Sequence, residues 1–356
     1  MILTSGTSVA VADLAPEDLD AGGVAHYGDP VREQRLLATE VGLVDRSNRP
    51  VIAVPGEDRL SWLHSLTTQH VSGLAPLSGT ELLLLSPNGH LEHHAVVLDD
   101  GTTTWLDTEP GQGDSLVDFL NRMRFLLRVE PARSDWMLAS LVGPRADEAI
   151  AKLGVRTLAA PRVAAVPEAK FATGAAGAVA TTIYDAAALP SGGYARRMSY
   201  GIDLLLPPDA ANATAAALDV PPAGLWAFEA LRVADRRARL GRDTDHRTLP
   251  AEVDLLAPAV HLEKGCYRGQ ETVARVHHLG RPPRRLVLLH LDGITTDELP
   301  APGTPVTGAD GRAVGYVGTA VRHYELGQIA LAVIKKNVPD DAVLQVGPST
   351  AAIDVD

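Results

Sequence analysis

The densest run of chemically capable side chains is Lys264-Gly265-Cys266-Tyr267-Arg268-Gly269-Gln270-Glu271, followed by Arg275, and it holds the single cysteine of the chain. Glycines at 265 and 269 indicate a tight loop, placed for positive φ or for close approach of a ligand to the backbone. In an extended segment Lys264, Cys266 and Arg268 project to one side. Two cations beside a thiol favour the thiolate, the nucleophilic form. Gln270 and Glu271 add hydrogen-bonding groups suited to an amide- or amidine-bearing ligand. A solitary cysteine is ordinarily a small buried hydrophobe, but the charges and glycines around this one point to a reactive thiol. The chain has only five lysines, which gives Lys264 extra weight.

Other constellations are weaker. Arg232, Arg236, Arg237, Arg239 and Arg242 form a basic run broken by Asp235, and Arg281, Arg284 and Arg285 lie beyond the cysteine loop. Such a run reads equally as a solvated helix face or as an anion site. The pairs His93-His94 and His277-His278, read as strand residues, point to opposite faces, so each pair offers one ligand to a site and no metal centre is expected. There is no phosphate-binding loop, no dinucleotide fingerprint and no nucleophile elbow.

Composition bounds the classes available. With 356 residues, 46% hydrophobic and 21% charged, the chain is a globular protein of two or three domains. No run of some 18 apolar residues is present, so no membrane span is expected. Met1 to Asp20 contains no Lys or Arg, unlike a secretory signal. One cysteine excludes an intramolecular disulfide and a thiolate-only cluster within one chain, and a reducing cytoplasm is the expected location. A net charge of −12 argues against direct nucleic-acid binding.

The elements that would position these residues follow from caps, turns and periodicity. Asp29-Pro30 opens a helix that Gly42 closes, Pro50 to Val54 is a strand, and Leu60, Leu63 and Leu66 recur at helical spacing. Leu82 to Leu85 and Leu91 to Leu98 flank Pro87-Asn88-Gly89 as a hairpin, Thr102 to Leu106 adds a strand, and a helix at Ser115 to Phe125 and a strand at Trp136 to Val142 complete a split βαβ pattern. A second instance uses strands near Val163 to Val166, Ala180 to Tyr184 and Ile202 to Leu206, with helices near Asp209 to Leu218 and Leu225 to Arg239; Leu158 to Gly177 reads as loop. Short strands after Pro282-Pro283 predict a small terminal β-barrel. The expected architecture is α+β, divided at 1–143, 144–282 and 283–356.

Lys-Gly-Cys-Tyr-x-Gly-Gln-Glu resembles the signature of the YgfZ family and its mitochondrial iron–sulfur assembly relatives, a family related in fold to the T-protein (aminomethyltransferase) of glycine cleavage. Glu229-Ala230-Leu231-Arg232, Thr248-Leu249-Pro250-Ala251-Glu252, Leu43-Val44-Asp45-Arg46-Ser47 and Trp62-Leu63 extend the likeness over most of the chain, strongest from Gly224 to Arg285. The resemblance implies a T-protein-like three-domain ring binding tetrahydrofolate, and a role in assembly or repair of iron–sulfur enzymes, one of which modifies tRNA. It carries a required cysteine onto Cys266 with Lys264 beside it, and a folate site onto Gly265, Tyr267, Gly269, Gln270, Glu271, Arg232, Arg275 and Asp203. Asp203, ahead of Leu204-Leu205-Leu206-Pro207, stands where T-proteins place a glutamate, and a carboxylate can accept the adjacent N–H donors of a pterin. T-proteins carry a pair of aspartates after the hairpin turn. Here Gly89-His90-Leu91-Glu92-His93-His94 puts histidines there, and a largely neutral imidazole lacks the fixed charge, so glycine-cleavage activity is not expected. The expected partners are iron–sulfur clients or assembly proteins. A folate-dependent aminomethyl- or methyltransferase and a non-catalytic folate module are the alternatives.

Overall fold

The computed structural model describes residues 12–14, 18–165, 180–279 and 282–355. Most of the stretch 158–177 expected as loop, the end of the strand expected at Val163 to Val166, Arg281 and the first eleven residues lie outside that description.

Side-chain alternation along the strands creates two faces. In strand Gly201–Leu206, Ile202, Leu204 and Leu206 join a cluster with Leu43, Leu141 and Ile150, whereas Leu205 joins Val51 and Leu138, and Asp203 has the parity of Leu205. Helices Ala146–Ala151 and Pro208–Leu218 cover the first of these faces. In the other half, Trp62 and Leu63 of helix Arg59–Leu66 and Leu116 and Leu120 of helix Gly113–Met123 pack on Ile52, Val54, Leu82, Leu84 and Val97. The helices thus shield one face of each half, and the opposite face, which carries the polar residues, turns inward.

Both halves belong to one 12-stranded mixed sheet. Its order runs Pro222–Ala223, Gly42–Asp45, Met137–Val142, Gly201–Leu206, Tyr194–Met198 and Ala180–Ala188, then Ser78–Leu85, Leu91–Asp99, Thr103–Thr108, Val51–Pro55 and Ala132–Ser134, with Arg162–Ala165 pairing off Ala180–Ala188. Strands Gly42–Asp45 and Met137–Val142 come from the segment assigned to the first domain, yet Met137–Val142 pairs with Gly201–Leu206 and Gly42–Asp45 pairs with Met137–Val142 on its other side. The chain therefore crosses between halves, and a cut at 143/144 does not separate two sheets. Six strands from Arg284–Leu291 to Ser349–Ile353 close the C-terminal barrel around Leu289, Val306, Val317 and Ile334.

Asp29 caps helix Pro30–Thr39 by accepting from the backbone N–H of Val31 and Arg32. Gly42, expected to close that helix, opens the next strand instead. The larger departure is helix Gln270–Leu279, which contains His277 and His278, read above as strand residues. Val273 is its one buried residue; Val273, Val276 and Leu279 do recur at a helical spacing, a short pattern that the reading of the histidine pair as a strand passed over. Among the described residues no helix is long and apolar enough to cross a membrane.

Candidate functional site: a charged cavity and a separate thiol

The inward faces of the two halves and helix Leu225–Ala234 enclose a cavity of about 390 Å³, a volume suited to a small organic ligand. Arg46, Glu81, His94, Tyr184, Tyr200, Phe228, Glu229 and Arg237 are among its lining residues. Ion pairs build its walls. Arg239 donates to Asp20 at 2.7 and 2.8 Å and to Glu109 at 2.7 and 2.9 Å. Arg232 forks onto Glu229 at 2.8 and 2.9 Å and reaches Asp243 at 2.8 Å and Thr319 of the barrel at 2.7 Å. Burial alone would raise the Glu229 carboxyl, but Arg232 and Arg239 outweigh it and hold the group at about 2.

His93 and His94 diverge as strand neighbours must. His94 lines the cavity, its Nε2 2.7 Å from Glu81 Oε2, and the Tyr184 hydroxyl donates to the other Glu81 oxygen. Burial works to raise Glu81, and His94 and Tyr184 together hold it below the ordinary carboxylate value. His93 has a buried Nδ1 with no partner, and burial pushes its pKa down to about 4. Sequence reasoning missed Glu81 and Tyr184. The signal for Glu81 was an acid directly ahead of the apolar run Leu82 to Leu85 in strand Ser78–Leu85. Among the described residues no group of three metal-ligating side chains is placed to hold an ion.

Several expected placements are corrected. Asp203 does not line the cavity; it lies behind it, 1% exposed, accepting from Ser140 at 2.6 Å, Arg196 at 2.8 Å, Tyr200 at 2.9 Å and Arg46 at 3.3 Å. Its oxygens are engaged by side chains, so it is not free to receive a pterin. Of the expected folate-site residues only Arg232 lines the cavity. Tyr267 is packed with Leu83, Leu85 and Leu240. Gly265, Glu271 and Arg275 are exposed. Gln270 donates to the Lys264 carbonyl at 3.1 Å. Gly269, at φ +83, packs on the hairpin turn so closely that a Cβ would stand 2.6 Å from the Ser86 carbonyl oxygen.

Lys264 and Cys266 do not form a pair either. The segment is a turn, not an extended strand, and Lys264 points inward, its Nζ donating to the carbonyls of His64, Thr67 and, at 3.2 Å, Gln69. Those groups lie at the C-terminal end of helix Arg59–Leu66, where unpaired carbonyls favour a cation. Burial pushes the Lys264 amine down to about 7. Arg268 pairs with Glu92 at 3.1 Å on the surface. Cys266 is exposed in a shallow groove with Ser65, Leu66, Phe119 and Met123, apart from the lining of the central cavity. Lys264→Met is therefore expected to act on stability, costing about 2–3 kcal/mol because its carbonyl partners lose a charged donor. In urea denaturation the midpoint should fall while the rate of Cys266 alkylation in the folded protein changes less than twofold. A large drop in alkylation would restore a lysine–thiol pairing.

Comparison with known proteins identifies the fold. The chain superposes on the crystal structure of glycine cleavage system aminomethyltransferase T from Bartonella henselae with a TM-score of 0.75 at 18% identity, covering 98% of this chain and 93% of that one. The fold is thus the T-protein-like α+β fold, with one mixed sheet in two halves and a closed C-terminal barrel. Residues 27–184 match the GCVT N-terminal domain family. A protein of Natronomonas pharaonis named as an aminomethyltransferase is 28% identical over 355 residues, 94% of this chain and 92% of that protein. An Arabidopsis thaliana protein named as a chloroplastic transferase is 26% identical over 307 residues, 81% of this chain; the chain spans 65% of it, less than two thirds of its length.

Proposed function

We propose that the chain binds a folate in its central cavity and serves as an accessory protein in assembly or repair of iron–sulfur enzymes, with Cys266 as its working thiol. One observation supports the thiol above the rest. In the run from Lys264 to Gln270, Lys264, Tyr267, Arg268, Gly269 and Gln270 each have a structural partner, and Cys266 is displayed to solvent. The loop is built so that a thiol is presented. One cysteine does not complete a thiolate cluster, so any cluster contact is shared with a partner, and an effect on tRNA modification would pass through an iron–sulfur client. A reducing compartment such as the cytoplasm suits a free exposed thiol.

The cavity suits tetrahydrofolate in volume and in the flat surfaces of Tyr200 and Phe228, and Glu81 and Glu229 are among the carboxylates that line it, where Asp203 does not. Bound there, the folate would supply one-carbon chemistry; the chain's own part is to stack it and accept its N–H donors. The test is a deletion strain assayed for several iron–sulfur enzymes. The native chain is expected to restore them and Cys266→Ala, folded and equally abundant, to restore less than a tenth. Full rescue by that variant would remove the thiol from the function.

A second reading has its own support. Glu81, His94 and Tyr184 set a carboxylate in the cavity wall beside the strand where T-proteins carry their aspartates, as a folate-dependent aminomethyl- or methyltransferase needs. Turnover with tetrahydrofolate and an aminomethyl or methyl donor that survives Cys266→Ala and is lost in Glu81→Gln would favour it.

A further inference from the structure

The arginine run 232–242 is uniform in sequence and not in structure. Arg232 is neutralised by Glu229 and Asp243, Arg239 by Asp20 and Glu109, Arg242 by Asp18 at 2.6 Å, and Arg236 by Asp354 at 3.0 Å. Arg237 has only Asp235, at 3.4 Å and itself 59% exposed. Its Nε is buried with no hydrogen-bond partner. Its guanidinium lies 4.6 Å from the ring centroid of Tyr200 and 5.7 Å from that of Phe228, and Arg46 approaches the same Phe228 ring at 4.7 Å. Burial pushes Arg237 below the usual arginine range, whereas in Arg232 and Arg239 the acidic partners outweigh burial and raise it. Arg237 is thus a cavity cation short of a counter-ion.

We propose that Arg237, lying in the corner made by the edge-to-face rings of Tyr200 and Phe228, is an anion-binding subsite of the cavity that takes the carboxylate or phosphate group of a flat ligand. The chemistry is that of a guanidinium fork, which matches a planar anion through paired N–H donors. The two rings cover part of the guanidinium and keep water from it, so a ligand anion supplies the close counter-charge that the exposed Asp235, at 3.4 Å, provides only weakly. This deepens the folate reading, since a folate ends in glutamate carboxylates, but it stands on the arginine alone.

Calorimetry on the full chain tests it with p-aminobenzoylglutamate, inorganic phosphate and tetrahydrofolate as probes. Arg237→Met is expected to weaken p-aminobenzoylglutamate by 10- to 100-fold, Arg237→Lys by less because charge remains without the fork, and Arg236→Met by under threefold. A shared thermal midpoint among the variants establishes that they fold alike, and Arg237→Lys carries the comparison if the methionine variant does not. A response of phosphate alone would assign the subsite to phosphate-ended ligands. Binding of p-aminobenzoylglutamate through Arg237 without binding of tetrahydrofolate would keep the subsite and remove the folate. Equal tetrahydrofolate affinity in native and Arg237→Met protein, or no millimolar binding of either anionic fragment, would overturn the subsite.

Discussion

Replacing Arg196 with methionine is expected to destabilise the fold by about 3–5 kcal/mol, as removal of one partner from a buried ionic cluster does. Arg196 is fully buried and donates from one nitrogen to Asp107 at 2.6 Å and Asp203 at 2.8 Å. Asp107 sits in strand Thr103–Thr108 of one half and Asp203 in strand Gly201–Leu206 of the other, so a single guanidinium joins the halves below the cavity. Without it the cations that remain stand farther off, Arg49 at 3.2 Å from Asp107 and Arg46 at 3.3 Å from Asp203, and Asp203 otherwise keeps only the neutral hydroxyl donors of Ser140 and Tyr200. Burying an ion is costly unless its partners are well placed, so the loss leaves two poorly compensated charges. Urea denaturation should show a lower midpoint with an unchanged slope. The triple variant Arg196→Met, Asp107→Asn, Asp203→Asn should recover more than half of the loss, because the charges that needed the arginine are gone with it. If Arg196→Met unfolds within 1 kcal/mol of the native chain, the bridge does not hold the halves.

The second large effect is a loss of stability in mild acid. His64, His93 and His261 are pushed down from 6.5 to about 4, burial being the largest cause in each. At His261 and His64 the neighbouring His70 and Lys264 add cationic repulsion. The sign follows from linkage: between pH 6.5 and 4 the unfolded chain takes up protons at these sites and the folded chain does not, so stability falls as pH falls. Counting only His93 and His261, the more buried two, the loss between pH 7.5 and 4.5 is about 3–5 kcal/mol. Carboxylates act lower. The stabilisation from Glu229, held at about 2, is fully present above the ordinary carboxylate pKa of 4.5 and fades below it. The limb above pH 5 therefore belongs chiefly to histidine, with Lys264, held at about 7, adding a smaller loss near neutral pH. Denaturation midpoints measured from pH 7.5 to 4.5 should decline, and the decline should flatten in the His93→Gln, His261→Gln double variant. A level profile down to pH 5 would show that these rings are hydrated or already charged when folded.

Both predictions rest on groups whose identity could be read in the chain and whose surroundings could not. Asp203 looked available because it stands where T-proteins place a glutamate, and alternation did put it on the inward face. Its engagement depends on Arg46, 157 residues earlier, and on Arg196, which reaches it only because Tyr194–Met198 pairs with Gly201–Leu206. Lys264 looked like the partner of Cys266, because sequence spacing in an extended segment would align them. The turn that precedes helix Gln270–Leu279 sends the lysine to a helix end 200 residues away in sequence instead. Glu81 went unnoticed because its one local signal, an acid at the head of an apolar run, does not by itself distinguish a cavity carboxylate from a surface one.

By itself the chain determined whatever is encoded within a few neighbouring residues. The Asp29-Pro30 cap, the hairpin around Asn88-Gly89, the two-faced strands and the terminal barrel all arise from local backbone preference and side-chain period, and one cysteine sets the limit on thiolate chemistry. Only tertiary structure decided which strands interleave, where the cavity lies, and which of many arginines keeps an unmatched charge. Those outcomes turn on desolvation and on Coulomb energies between groups far apart in the chain, which are set by distance in space and not by position in the sequence.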